Sequence, residues 1–259
     1  MLKKNTTKEK LKLGQTVIGI RMDYPSPDII EALGNVGFDF VYYDSEHGTM
    51  GEETNLTMIR TAELVGLTPM VRVPTSEPWY ILRALDSGAM GIIIPHCNTK
   101  EEAQAAVTSA KYPPEGERGI AGRSIRMSGM TPAQYTVEAN RETMVIAMIE
   151  EARALENLSE IVTVDGLDVL WVGRGDLSLS MGVPGQYSHP KVKQAVERVI
   201  GEGRAAGKVV GVGAISVEDP ESIQHFTGLG ARFFSVNSAS LFAVASRKWL
   251  NTARGCQGS

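Results

Sequence analysis

Short runs of β-branched and aliphatic residues recur along the whole chain, separated by longer segments in which apolar positions fall at helical spacing. Eight runs read as strands: Val17 to Met22, Phe38 to Asp44, Pro69 to Val73, Gly91 to Pro95, Met144 to Glu150, Val169 to Val172, Val209 to Ala214 and Phe233 to Val236. Between them lie amphipathic stretches such as Ile29, Leu33 and Val36, or Ala195, Val199 and Ile200, which place one apolar face on a helix. Eight strand–helix pairs in one chain predict an α/β fold, the closed (β/α)8 or TIM barrel, with residues 1–259 forming a single domain. The competing doubly wound sheet would show a GxGxxG turn after an early strand. The chain has none. One stretch breaks the rhythm: from Tyr112 to Thr143, opened by Pro113-Pro114-Glu115-Gly116, no clean period appears. Its length predicts a lid or binding loop.

Composition narrows the functional classes. With 259 residues, 42% of them hydrophobic, the chain can bury a large core and is too apolar for a disordered protein. The 26 Lys and Arg against 30 Asp and Glu leave a net charge of −4. That balance argues against nucleic-acid binding, which favours a basic face. Apolar runs such as Gly91 to Pro95 fall far short of the roughly 20 residues that span a bilayer. The N-terminus runs through Lys3, Lys4 and Lys8 without the apolar core of a signal peptide. The two cysteines, Cys97 and Cys256, lie far apart. Together these features predict a cytoplasmic protein with reduced thiols, engaging neither membrane nor nucleic acid.

In such barrels the chemistry gathers where strands end. The second strand ends Asp44-Ser45-Glu46-His47-Gly48, the third carries Arg72 between Val71 and Val73, the fifth ends Ile149-Glu150-Glu151, and the sixth leads into Gly173-Arg174-Gly175-Asp176. Strand alternation that turns Ile146 and Met148 inward also turns Glu150 into the mouth. Glu150 and Asp176, if they converge, suit Mg2+ or Mn2+, which keep waters or substrate oxygens in open positions. The alternative is two separate solvated acids. Arg72 in an apolar strand needs an anionic partner, either a substrate carboxylate or a protein one. His47, with Asp44 three residues earlier, reads as an oriented acid–base pair or as a solvated loop histidine. No predicted strand contains a lysine, which leaves a Schiff-base mechanism without a seat. The segments after strands seven and eight lack a Gly-rich phosphate cradle.

These motifs in this order, over roughly residues 14 to 250, resemble the HpcH/HpaI class II aldolases. Gly37-Phe38-Asp39-Phe40 leading to Asp44-Ser45-Glu46-His47 is similar to the family's second strand and histidine loop. Val71-Arg72-Val73 resembles its carboxylate-binding arginine, and Leu85-Asp86-Ser87-Gly88-Ala89 its subunit-crossing aspartate. Tyr112-Pro113-Pro114 through Arg118-Gly119 resembles the loop before strand five, while Ile149-Glu150 and Gly173-Arg174-Gly175-Asp176-Leu177-Ser178 resemble its metal motifs.

The resemblance implies a lyase in which Glu150 and Asp176 hold a divalent ion, Mg2+ or Mn2+, that stabilises the enolate of pyruvate. It also implies that Arg72 steadies the oxyanion, that His47 with Asp44 moves the aldol hydroxyl proton, and that backbone amides near Gly173 and Gly175 hold the carboxylate. The substrates implied are a 2-oxo acid and an aldehyde, with oxaloacetate decarboxylation or a citrate-synthase-like condensation as the alternative outcome. Three positions depart from the family pattern: Met148 for a glutamine, Arg174 for a proline, and Arg21 for a large apolar residue. With Arg123 and Arg126, the extra arginines suggest an acidic or polyhydroxylated acceptor. Apolar residues on the helix through Trp79, Ile81, Leu82 and Leu85, and on the C-terminal segment through Leu241, Phe242, Val244, Trp249 and Leu250, exceed what one outer helix needs. The resemblance therefore implies a homo-oligomer, a hexamer of swapped dimers in which Asp86 completes a neighbour's site.

Overall fold

The computed structural model describes residues 3–121, 125, 126 and 128–255. Eight strands, β1 Val17–Met22, β2 Phe40–Asp44, β3 Thr68–Arg72, β4 Gly91–Ile94, β5 Met144–Ile149, β6 Val169–Val172, β7 Val209–Val212 and β8 Phe233–Asn237, close in sequential order. Every neighbouring pair is parallel, and β8 returns to β1. The (β/α)8 barrel expected from the periodicity is the fold observed. Strand β2 starts two residues later than its apolar run suggests, because Gly37 closes the preceding helix in a left-handed conformation, with φ 101°, and the chain needs Phe38 and Asp39 to enter the sheet.

The outer layer consists of α1 Thr6–Lys12, α2 Pro27–Val36, α3 Glu52–Leu64, α4 Pro78–Asp86, α5 Lys100–Ala110, α6 Pro132–Glu142, α7 Ala152–Glu156, α8 Leu158–Ile161, α9 Arg174–Ser180, α10 Pro190–Ala205, α11 Ser222–Leu229 and α12 Ser238–Gly255. Among the described residues no helix is long and apolar enough to cross a membrane.

Strand alternation sorts the core into two layers. Val145, Ala147 and Ile149 join the cluster between strands and helices, whereas Ile146 and Met148 join the one inside the barrel. The barrel interior is a plug of large side chains: Phe40 stacks on Phe233 at 4.3 Å between ring centroids, and Trp171 meets Phe233 and Tyr42 edge-on at 5.2 and 5.1 Å. Gly19 makes room for it, since a Cβ there would lie 2.2 Å from the Phe40 ring. Each such buried side chain contributes about 1.5–3 kcal/mol. Below the plug, α1 closes the strand-start end. Its Leu11 enters the interior cluster, and the Asn5 amide caps the helix while donating to Met90 O and Glu142 O. With one end sealed, the open mouth lies at the strand ends.

The stretch from Tyr112 to Thr143 is not one long loop. Thr131 and Gln134 form a capping box, Pro132 occupies the first helical position, and α6 follows. Its Tyr135 and Ala139 pack against Tyr112. Arg123 and Cys256 lie outside the described residues.

Candidate active site

Asp44, at the tip of β2, is fully buried and faces Arg72 of β3 in register. It accepts from Arg72 Nε at 2.9 Å and Nη2 at 2.5 Å, forms an ion pair with Arg21 Nη2 at 2.5 Å, and accepts the backbone N–H groups of Glu46 and His47 at 3.1 and 3.2 Å. Burial by itself would raise the Asp44 pKa. The Arg72 hydrogen bonds and charge, with help from Arg21, outweigh it and hold the carboxyl below its usual range. Burial likewise opposes the Arg72 charge, and Asp44 more than restores it. Of the two partners left open for Arg72, the structure supplies the protein carboxylate.

That saturation corrects the expected pairing of Asp44 with the His47 ring. Two guanidiniums take the Asp44 oxygens, so it meets His47 through the backbone N–H. The His47 ring is 55% exposed, with Glu46 Oε2 3.8 Å from Nε2. Glu46 is the junction that sequence reasoning missed. Its Oε2 lies 3.0 Å from Arg72 Nη1 and its Oε1 3.0 Å from His96 Nε2. His96 Nδ1 meets Glu151 Oε1 at 2.7 Å, and its backbone N–H donates to Glu150 Oε1 at 2.8 Å. On the other flank, Arg21 Nε meets Asp23 Oδ1 at 2.5 Å, and Asn237 Nδ2 donates to Asp23 Oδ2 at 2.6 Å. A belt of charged and polar groups thus runs along the mouth from β8 through β1 to β5. The signal for Asp23, His96 and Asn237 was positional: each sits at a strand end.

Glu150 is 1% exposed, and its Oε2 is buried without a hydrogen-bond partner among the described residues. Gly173 stands directly beside it, since a Cβ there would lie 2.4 Å from Oε2. The Gly173 N–H donates to Ile149 O at 3.2 Å, so this glycine provides room for Glu150 while its amide is already used. Gly175 opens the first turn of α9 and is exposed, and Asp176 follows it in the same turn. Burial pushes the Glu150 carboxyl up to about 7. The His96 N–H and ring and the Arg72 charge offset this in part, while the like charge of Asp176 adds to it. The charge of Asp176 thus reaches the Glu150 carboxyl. Among the described residues no three His, Cys, Asp or Glu side chains form a closed cage. An orphaned buried carboxylate oxygen within the influence of a second acid is a donor set that fits a hard divalent cation.

Residues 22–240 match the family model described as HpcH/HpaI aldolase/citrate lyase. The chain belongs to the HpcH/HpaI aldolase/citrate lyase family. It is 36% identical over 238 residues to a hydroxypyruvate/pyruvate aldolase of Sagittula stellata, covering 91% of this chain and 92% of that protein. It is 34% identical over 250 residues to the 5-keto-4-deoxy-D-glucarate aldolase of Escherichia coli, covering 96% of each. The crystal structure of an HpcH/HpaI aldolase from Desulfitobacterium hafniense superposes with a TM-score of 0.89 at 30% identity, covering 95% of this chain and 96% of that one. Membership makes the protein an enzyme of the aldolase and lyase class, in a family that generally depends on a divalent metal.

The three departures from the HpcH/HpaI pattern have separate fates. Arg21 reaches the mouth, as the belt shows. Arg174 does not: it is buried, donates to Gly213 O and Ala214 O at 3.3 and 2.7 Å, and lies over the rings of Tyr187 and Phe226. Its long side chain finds two free carbonyls where β7 ends, which corrects the expectation that it faces an acceptor. Arg126 is exposed. Met148 sits under the site with its sulfur 3.8 Å from Arg72 Nη1, a weak acceptor beside the Glu46 carboxylate that faces the same nitrogen at 3.0 Å. Asp86 ends α4, which runs back from the mouth, and its Oδ1 pairs with Arg118 Nη2 at 2.9 Å. Within its own chain it lies away from the site.

Proposed function

We propose that this protein is a Mg2+- or Mn2+-dependent pyruvate aldolase that cleaves or forms 4-hydroxy-2-oxo acids, with an aldehyde bearing a carboxylate or hydroxyls as acceptor. The unpartnered buried oxygen of Glu150, on which the charges of Asp176 and Arg72 both act, carries this reading. Glu150 and Asp176 would hold the ion. When bound, the ion supplies Lewis-acid charge to the 2-oxo end of the substrate. Arg72, whose Nε and Nη2 are fixed by Asp44 and whose Nη1 lies between Glu46 and Met148, would lend its charge to the developing oxyanion. His47, exposed at the rim, takes the proton from the C4 hydroxyl as the C3–C4 bond breaks, and returns it in the condensation direction. The electrons of that bond pass to the 2-oxo acid as its enolate, which a proton at C3 converts to pyruvate. Gly175, exposed in the first turn of α9, would offer its backbone N–H to the substrate carboxylate. The relative named for 5-keto-4-deoxy-D-glucarate supports an acidic, hydroxylated substrate.

The test is pyruvate release from a panel of 4-hydroxy-2-oxo acids, with and without exhaustive chelation. Release should vanish on chelation and return with Mg2+ or Mn2+, and borohydride with pyruvate should leave no adduct on any lysine. Release that survives chelation, or a lysine adduct, would overturn the reading. Metal-dependent consumption of oxaloacetate without aldol cleavage would move it to the oxaloacetate alternative.

The protein is further read as one barrel unit of the cytoplasm, where the buried thiol of Cys97 stays reduced, and as a hexamer of swapped dimers. The support is α12: of its 18 residues only Ser238 is buried, while Phe242 and Trp249 are 71% and 70% exposed. An apolar face of that kind is covered in an assembly, in which, by the family resemblance, Asp86 would approach another chain's His47. Truncation before Ala239 should abolish both assembly and turnover. Light scattering that shows an active monomer at micromolar concentration would sink the claim.

A further inference from the structure

His96 lies two residues beyond Ile94, where β4 ends, and it is one of two non-glycine residues with positive φ among the described residues, at 51°. A strained backbone of this kind persists where the surroundings over-determine it. Here the twist aims three groups of one residue at three carboxylates: the N–H at Glu150 Oε1 (2.8 Å), Nδ1 at Glu151 Oε1 (2.7 Å) and Nε2 at Glu46 Oε1 (3.0 Å). The partners are themselves held. Asn98 Nδ2 donates to Glu151 Oε2 at 3.0 Å, Asn157 Nδ2 donates to Asn98 O at 2.9 Å, and Glu46 Oε2 faces Arg72 Nη1 at 3.0 Å. One histidine therefore ties the tips of β2 and β5 together, and through Glu46 it reaches β3.

We propose that His96 is a positioning residue that sets the Glu150 carboxylate for a divalent cation and, through Glu46, sets Arg72 for the 2-oxo acid. The proposal rests on the metal reading above. With Oε1 pinned by the His96 N–H, the rotamer of Glu150 is fixed and Oε2 is turned into the space beside Gly173. The ring holds Glu151 and Glu46 outside that space, so that neither acid competes with Glu150 and Asp176 for the cation. The ring makes no hydrogen bond to Glu150 itself and acts on the site through Glu151 and Glu46, and loss of such outer support around a metal costs about 10–100-fold in affinity or activity. A histidine merely caught between two surface acids would have no such effect.

The decisive variant is His96→Gly, which keeps the backbone N–H and favours the positive φ while deleting the ring. Mn2+ binding is read directly, from the paramagnetic resonance of the free ion in titrations of the whole enzyme without substrate. The Mn2+ dissociation constant should rise about 10-fold, and at saturating Mn2+ the KM for the 2-oxo acid should rise several-fold. His96→Asn tolerates the same backbone conformation and offers a single donor nitrogen on a shorter side chain, so it should fall between His96→Gly and wild type. Mn2+ and 2-oxo acid constants within about twofold of wild type in His96→Gly, or in His96→Asn if the glycine variant does not fold, would overturn the proposal, being far below the loss a supporting partner causes. A wild-type enzyme that bound no Mn2+ would overturn the metal reading and this one with it.

Discussion

Glu150→Gln is expected to abolish saturable Mn2+ binding and to lower turnover by about 10³-fold, the factor that corresponds to a lost Lewis acid worth several kcal/mol. The variant keeps the shape of the side chain and leaves an oxygen to accept the His96 N–H. What it removes is the charge on the buried oxygen that lies beside Gly173. With one of two protein ligands gone, the chelate is lost. Stability should move the other way. Burial lifts the Glu150 pKa from 4.5 to about 7 in the folded chain, so the folded state binds the extra proton between those values, and this group's contribution to stability falls as pH rises through that window. Without metal at pH 8, wild type bears the cost of a buried charge that glutamine avoids. Glu150→Gln should then melt above metal-free wild type, and the gap should shrink as the pH is lowered towards 4.5. A variant that still binds Mn2+, or that melts below metal-free wild type at pH 8, would remove Glu150 from its assigned role.

Arg72→Lys should lower kcat/KM by about 10²–10³-fold, the range seen when a donor to a developing oxyanion is lost. Lysine keeps the charge and loses the fork. In this site the fork does two jobs at once: Nε and Nη2 engage Asp44 at 2.9 and 2.5 Å, while Nη1 stands at the mouth between Glu46 and Met148. A lysine ammonium that satisfies Asp44 withdraws from the substrate, and one that serves the substrate leaves Asp44 on Arg21 alone. Exchange of the pyruvate methyl protons with solvent, which needs enolate formation only, should fall together with aldol cleavage. Cleavage that falls while exchange is kept would shift Arg72 from enolate stabilisation to the acceptor side.

Residue type and period along the chain are sufficient for the eight strands, their order and the inward turn of Glu150, because each follows from contacts within a few residues or from a side-chain alternation of two. The same local logic makes Gly173 and Asp176 visible beside β6. Helix α6 was equally local, in the Thr131–Gln134 capping box and Pro132, but lies behind an irregular stretch whose prolines and glycines dominate the pattern. The partners of the charged residues are another matter. Asp44 lies three residues from His47 and 28 from Arg72, yet it is Arg72 that it holds, since the β2–β3 register sets the two side chains face to face inside the barrel. Arg174 and Arg21 read alike as mouth arginines. Folding sends one to the carbonyls of Gly213 and Ala214 and leaves the other beside Asp44. His96 carried no motif, and its meaning arises when strand ends β2, β4 and β5 meet around one opening. Local propensity is written in neighbouring residues, whereas the pairing of charges across a barrel mouth is settled by register and closure, which bring together residues that the chain keeps apart.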